Sequence, residues 1–225
     1  MRIITLITQK GGVGKTTLAA SLAVAAAEAG ETVVALDLDP QGSLSSWGDG
    51  RKGDNPAVDQ LTAERLPRLT DILGGLDTSG FTVAILDTAG TESTAGNLAM
   101  RASDICLIPA RPSRIDIKAT LPTIEALMRL SMRDRFAFVL NQCPPGRSSR
   151  ATEAASGLGM FGILAEPTIT QRADHQDAIA AGQGVTEYAP QGRAADEVRE
   201  LWRWIDHKTK PTKRGKLSEQ ATIPH

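Results

Sequence analysis

The segment RIITLITQKGGVGKTTLAASLAVAAAEAG, residues 2–30, constrains the fold of this chain more than any other. An apolar, β-branched run at 2–8 passes through Gly11, Gly12 and Gly14 into an Ala- and Leu-rich stretch, Lys15 to Ala29, that stops at Gly30. Continuous rather than alternating hydrophobicity suits a strand covered on both faces, as in a parallel sheet. Glycine after the last apolar position is the usual helix stop. The same order recurs downstream: TVVALDLD (32–39), FTVAILD (81–87), DICLIPA (104–110) and FAFVLNQ (136–142) read as buried strands, and helical spacing is expected over 114–131 and 194–206. The fold class is therefore α/β, a doubly wound, mostly parallel sheet with helices on both faces. One domain is expected over 1–206, with 40–60 a long surface loop and 207–225 a flexible basic tail.

Composition narrows the function classes. A length of 225 residues, 41% hydrophobic, can bury one sizeable core. A net charge of -1 offers no global attraction for polyanions, so any such binding needs a local patch. Cys106 and Cys143 lie in apolar surroundings outside any C-x-x-C spacing, which predicts buried, inert thiols in a reducing compartment. The amino-terminal apolar run is too short for a signal peptide, and no stretch approaches the roughly 20 apolar residues of a membrane span. A soluble protein is expected. Aromatic content of 4% argues against stacking platforms for single-stranded nucleic acid.

A glycine-rich turn between a buried strand and a helix is a phosphate cradle. Gly11, Gly12, Val13 and Gly14 can aim backbone N–H groups inward, and the helix N-terminus adds to that nest. Lys15 then neutralises β- and γ-phosphates, Thr16 can ligate Mg2+, and Thr17 can reach the α-phosphate. Asp87 ends an apolar strand, placed either to join the metal's water shell or to cap a helix near Thr91. Asp37 and Asp39 end another strand beside the crevice; without the glycine loop they would read as a turn before Pro40. Two positions depart from the usual G-x-x-x-x-G-K-[ST] pattern: Gln9 replaces its first glycine, and Lys10 follows.

That departure resembles the deviant Walker A loop of the ParA/MinD family, in which a lysine takes the second loop position. ALDLDPQGS (35–43), AILDTAG (84–90), ASDICLIPARPSRIDIKA (102–119) and the stretch from Thr168 through 171–198 are similar to that family's later segments, in its order, over roughly 1–206. The resemblance implies an ATPase using ATP and Mg2+. It implies that Lys10 reaches across a two-fold dimer to the partner's phosphates, with a solvated surface lysine as the alternative, that Asp39 orients or deprotonates the attacking water, and that Asp37 joins Thr16 and Asp87 around the metal. It puts an adenine contact at Asn141, for which a turn-forming asparagine before Pro144 and Pro145 is the alternative. Arg172 and Arg193 match positions of non-specific DNA contact, with ordinary surface arginines as the alternative.

The implied partners are a homodimer mate with ATP, non-specific double-stranded DNA, and a ParB-like centromere-binding or cargo adaptor protein that stimulates slow hydrolysis. The implied setting is the bacterial cytoplasm, on the nucleoid. A phosphate loop starting at residue 9 leaves no room for a preceding helix-turn-helix, so operator-specific repression is not expected. A MinD-like membrane cycle would call for a C-terminal helix with a wide apolar face, whereas Pro211, Leu217, Ile223 and Pro224 are scattered, so no membrane contact is expected. A redox iron protein would need interface cysteines, and a small-molecule kinase would need a substrate site and lid that the sequence does not present.

Overall fold

The computed structural model describes residues 1–210. Seven parallel strands form one sheet in the order β3-β2-β4-β1-β5-β6-β7. They are β1 (Arg2–Leu6), β2 (Val33–Asp37), β3 (Ala57–Gln60), β4 (Val83–Asp87), β5 (Ile105–Ala110), β6 (Phe136–Leu140) and β7 (Ile163–Leu164). The helices are α1 (Lys15–Glu28), α2 (Ser43–Asp49), α3 (Leu69–Thr78), α4 (Thr94–Ala102), α5 (Arg114–Lys118), α6 (Leu121–Arg129), α7 (Ser149–Gly159), α8 (Ala173–Ala180), α9 (Val185–Tyr188) and α10 (Arg193–Thr209).

Strand alternation explains the unbroken apolar runs. Val83 and Ile85 of β4 join the core under α1 and α10, while Ala84 and Leu86 between them join the core under α3 and α4. In β5, Ile105 and Leu107 face the first core, and Cys106 and Ile108 face a third cluster under α6 and α7. Both faces are covered, so neither set can be polar. The chain runs from β1 outward to β2 and β3, returns to β4 beside β1, then continues on the other side. This reversal at β1 makes the crevice where doubly wound sheets bind ligands.

Three expectations are corrected. Residues 40–60 are not one loop: they hold α2 and β3. The Gly/Ser/Asp composition hides a small amphipathic turn whose Leu44 and Trp47, three positions apart, drop into the core, while the Trp47 indole donates to the Gln183 carbonyl at 3.0 Å. Gly48 is required there, since a Cβ would come within 2.6 Å of Val58. The helix expected over 114–131 splits into α5 and α6, because Pro122 has no N–H to continue the ladder. Helix α10 runs to Thr209, past the expected boundary at 206; Leu201, Trp202 and Ile205 bury one face of it, and Arg2 donates to Asp206 at 2.6 Å and to Thr209 at 3.3 Å in its last turn. The rest of the expected basic tail, 211–225, lies outside the described residues.

Candidate nucleotide site

The glycine loop leaves β1 and enters α1 through left-handed backbone at Gly12 (φ 73°) and Gly14 (φ 87°), a region that side chains other than glycine's disfavour. Lys15 is buried, and its ammonium donates to the Lys10 carbonyl at 3.3 Å. Burial lowers its pKa, against the opposing fields of Asp87 and Asp39. The Thr16 hydroxyl donates to Asp87 Oδ2 at 2.6 Å. Asp87 Oδ1 is buried without a partner among the described residues, and burial pushes this carboxyl up to about 7. An orphaned carboxylate oxygen beside a threonine hydroxyl is an oxygen donor set of the kind a hard divalent cation takes, so these residues fit Mg2+. Asp87 does not cap α4, which starts at Thr94 on the Ser93 side chain.

Asp37 sits directly opposite Asp87 in the β2–β4 register and is fully buried. Its Oδ1 accepts from the Asp39 N–H at 3.0 Å, and Oδ2 accepts from the N–H groups of Leu44 and Ser45 at 2.8 and 2.9 Å. Burial raises its pKa, partly offset by these backbone donors. Asp37 thus ties the start of α2 to the strand end and fixes the backbone that carries the half-buried Asp39. After β4, Gly90 lies against the loop: a Cβ there would stand 3.1 Å from Gly11 N and 3.3 Å from Lys15 Nζ.

A second wall rises from β6. The Asn141 amide donates to the Val13 carbonyl at 2.7 Å, and Gln142 donates to the Gly12 carbonyl at 3.3 Å. The Asn141 amide thus ties the end of β6 to the loop. Beside it, Gly14, Thr17, Arg172 and His175 line a cavity of about 100 Å3. A larger groove of about 530 Å3 lies between α5 and α7, but none of the residues above lines it, so the chemistry and not the volume marks the site.

Other expected residues separate. Lys10 is half-buried, and its ammonium has no partner among the described residues. Arg172 turns toward the cavity and pairs with Glu197 at 2.6 Å, whereas Arg193 is exposed at the first position of α10. Cys106 and Cys143 are buried, their thiols pushed up to about 12 and about 11 by desolvation. No described helix is long and apolar enough to cross a membrane. Gly90 and Glu197 escape sequence reading, because both act through contacts with residues distant in the chain.

Known proteins are similar to this chain in sequence and in fold. A family model described as the CobQ/CobB/MinD/ParA nucleotide binding domain matches residues 4–182. The chain is 30% identical over 213 residues to maintenance of carboxysome distribution protein A of Gloeobacter kilaueensis, covering 90% of this chain and 96% of that one. Its fold is similar to a chain of the MinC:MinD cell division complex of Aquifex aeolicus, with a TM-score of 0.76, 18% identity, and coverage of 95% and 99%. It is likewise similar to the septum site-determining protein MinD of Pyrococcus horikoshii solved with Mg-ADP, with a TM-score of 0.72, 20% identity, and coverage of 93% and 99%.

Proposed function

The chain belongs to the CobQ/CobB/MinD/ParA nucleotide-binding family, and from that premise we propose that it is a ParA-type ATPase that forms a sandwich dimer on ATP, holds double-stranded DNA without sequence preference, and positions a cargo. Hydrolysis is slow until a ParB-like centromere-binding protein or a cargo adaptor stimulates it. The reading rests on one observation: Lys10 presents an ammonium beside the phosphate loop with no partner among the described residues, while its own carbonyl holds Lys15. A cation without a counter-charge beside an anion cradle is satisfied when a second protomer presents a triphosphate.

Within the site, loop N–H groups and Lys15 hold the phosphates, Thr17 orients the α-phosphate, and Asp39 positions the water for attack on the γ-phosphate. Thr16 and Asp87 would hold Mg2+, with Asp37 positioning the neighbouring strand end; the ion would supply charge neutralisation to the bound phosphates. Asn141 fixes the base-side rim. Helix α10 offers no wide apolar face to a membrane, since Val198, Leu201, Trp202 and Ile205 are buried in the core, and Arg193 is exposed at its start. The Gloeobacter relative's name, which refers to carboxysome distribution, supports the cargo-positioning side of this reading.

Light scattering with ATP tests it. Wild type should double in mass with ATP and not with ADP, and Lys10→Ala should bind nucleotide yet stay monomeric. A Lys10→Ala protein that dimerises normally would overturn the reading.

A further inference from the structure

Glu197 lies in the second turn of α10, outside the phosphate loop, yet a single carboxylate there holds three groups of the segment before α8. Its Oε2 accepts from the Thr170 N–H at 2.9 Å, and its Oε1 accepts from the Thr170 hydroxyl at 2.9 Å and from Arg172 at 2.6 Å. Thr170, Gln171 and Arg172 line the small cavity that Gly14, Thr17 and Asn141 close from the other side. His175, nine-tenths buried, lines the same cavity, and its Nε2 has no partner among the described residues. Arg172 Nε is also buried and unpaired there. The wall is therefore polar, under-satisfied, and held in shape from outside by one acid on the last described helix.

We propose that Glu197 is a positioning residue for nucleotide binding: it latches the 170–172 segment so that the wall facing Asn141 is formed before the nucleoside arrives, and it makes that wall depend on the seating of α10. The inference deepens the ATPase reading and rests on it. It also assigns Arg172 to the nucleotide cavity rather than to a DNA surface, because its guanidinium is tied down by Glu197 and turned inward. A carboxylate that satisfies a backbone N–H, a hydroxyl and a guanidinium at once organises a segment more tightly than any one of those bonds.

The latch acts on the nucleoside side, since among the described residues Glu197 makes its hydrogen bonds to Thr170 and Arg172 and none to residues 10–17. Calorimetric binding of ATP and of inorganic tripolyphosphate, each with Mg2+, separates the two sides. Glu197→Gln should weaken ATP binding by about tenfold, the scale of one charged hydrogen bond, and leave tripolyphosphate affinity within about twofold. Thr170→Val, which removes one hydroxyl and keeps the fold's volume, should weaken ATP binding alone by about threefold and carries the test if Glu197→Gln does not fold. Equal losses for both ligands, or unchanged ATP affinity, would overturn the latch while leaving the ATPase reading intact. Failure of wild type to bind ATP would overturn both.

Discussion

The side-chain amide of Asn141, at the end of β6, donates to the backbone carbonyl of Val13 at 2.7 Å. Two segments 128 positions apart are thereby joined at the rim of the phosphate loop, and the space left between them is too small for a methyl group. A Cβ on Gly14 would stand 2.6 Å from Asn141 Nδ2, on a residue whose φ is already 87°. The loop is shaped both by its own glycines and by a clamp from a distant strand.

Gly14→Ala should therefore fail twice, through backbone strain and through collision with the clamp. Nucleotide binding should fall below detection, and thermal unfolding should drop by an amount equivalent to roughly 2–4 kcal/mol. Asn141→Ala, which deletes the clamp and leaves the φ untouched, should cost only about 1–2 kcal/mol. Equal losses in the two variants, read by calorimetric melting, would count against the clamp.

The two carboxylates at the end of β2 should separate in their effects. Asp39→Asn should bind ATP with stability unchanged and lose turnover. Asp37→Asn should be destabilised by roughly 2–4 kcal/mol, because its buried acceptors for Asp39, Leu44 and Ser45 are disrupted. Denaturant melts alongside phosphate release resolve the difference; a stable Asp37→Asn would show that the α2 tether is dispensable.

Burial holds the His175 imidazole below its ordinary 6.5, against the opposing fields of Glu197 and Asp174. The folded chain then refuses a proton that the unfolded chain accepts, so this contribution to stability is complete above the unfolded value and is lost as pH falls through it. His175→Gln should flatten the decline in stability between about pH 7 and about pH 5. An unaltered slope in urea melts across that range would exclude the buried neutral imidazole as its source.

Arg172 and Arg193 should not behave alike. Arg193→Glu should abolish DNA retention in the presence of ATP at low salt and leave nucleotide affinity unchanged, since the side chain is exposed at the start of α10. Arg172→Met should weaken nucleotide binding first, since its partner is Glu197 and it faces the cavity. A filter-binding series with both proteins and a salt titration reads the contrast; identical DNA loss with intact nucleotide affinity would return Arg172 to the DNA surface.

The sequence by itself determined the five strands β1, β2, β4, β5 and β6 and the phosphate loop, and missed β3 and β7 at the sheet edges. Parallel strands covered on both faces are apolar at nearly every position, and the loop's glycines and Lys15 through Thr17 are contiguous, so both leave a local signature. Tertiary structure alone decided what those parts touch. Residues 40–60 became α2 and β3 because Leu44 and Trp47 found a core that their polar neighbours conceal. Asp37 became a tether, Gly90 a spacer and Glu197 a latch because each acts on a residue brought near by the fold. Periodicity records which face of an element is buried, but a hydrogen bond between segments far apart in sequence leaves no periodic trace, and it exists only once the sheet has set both ends.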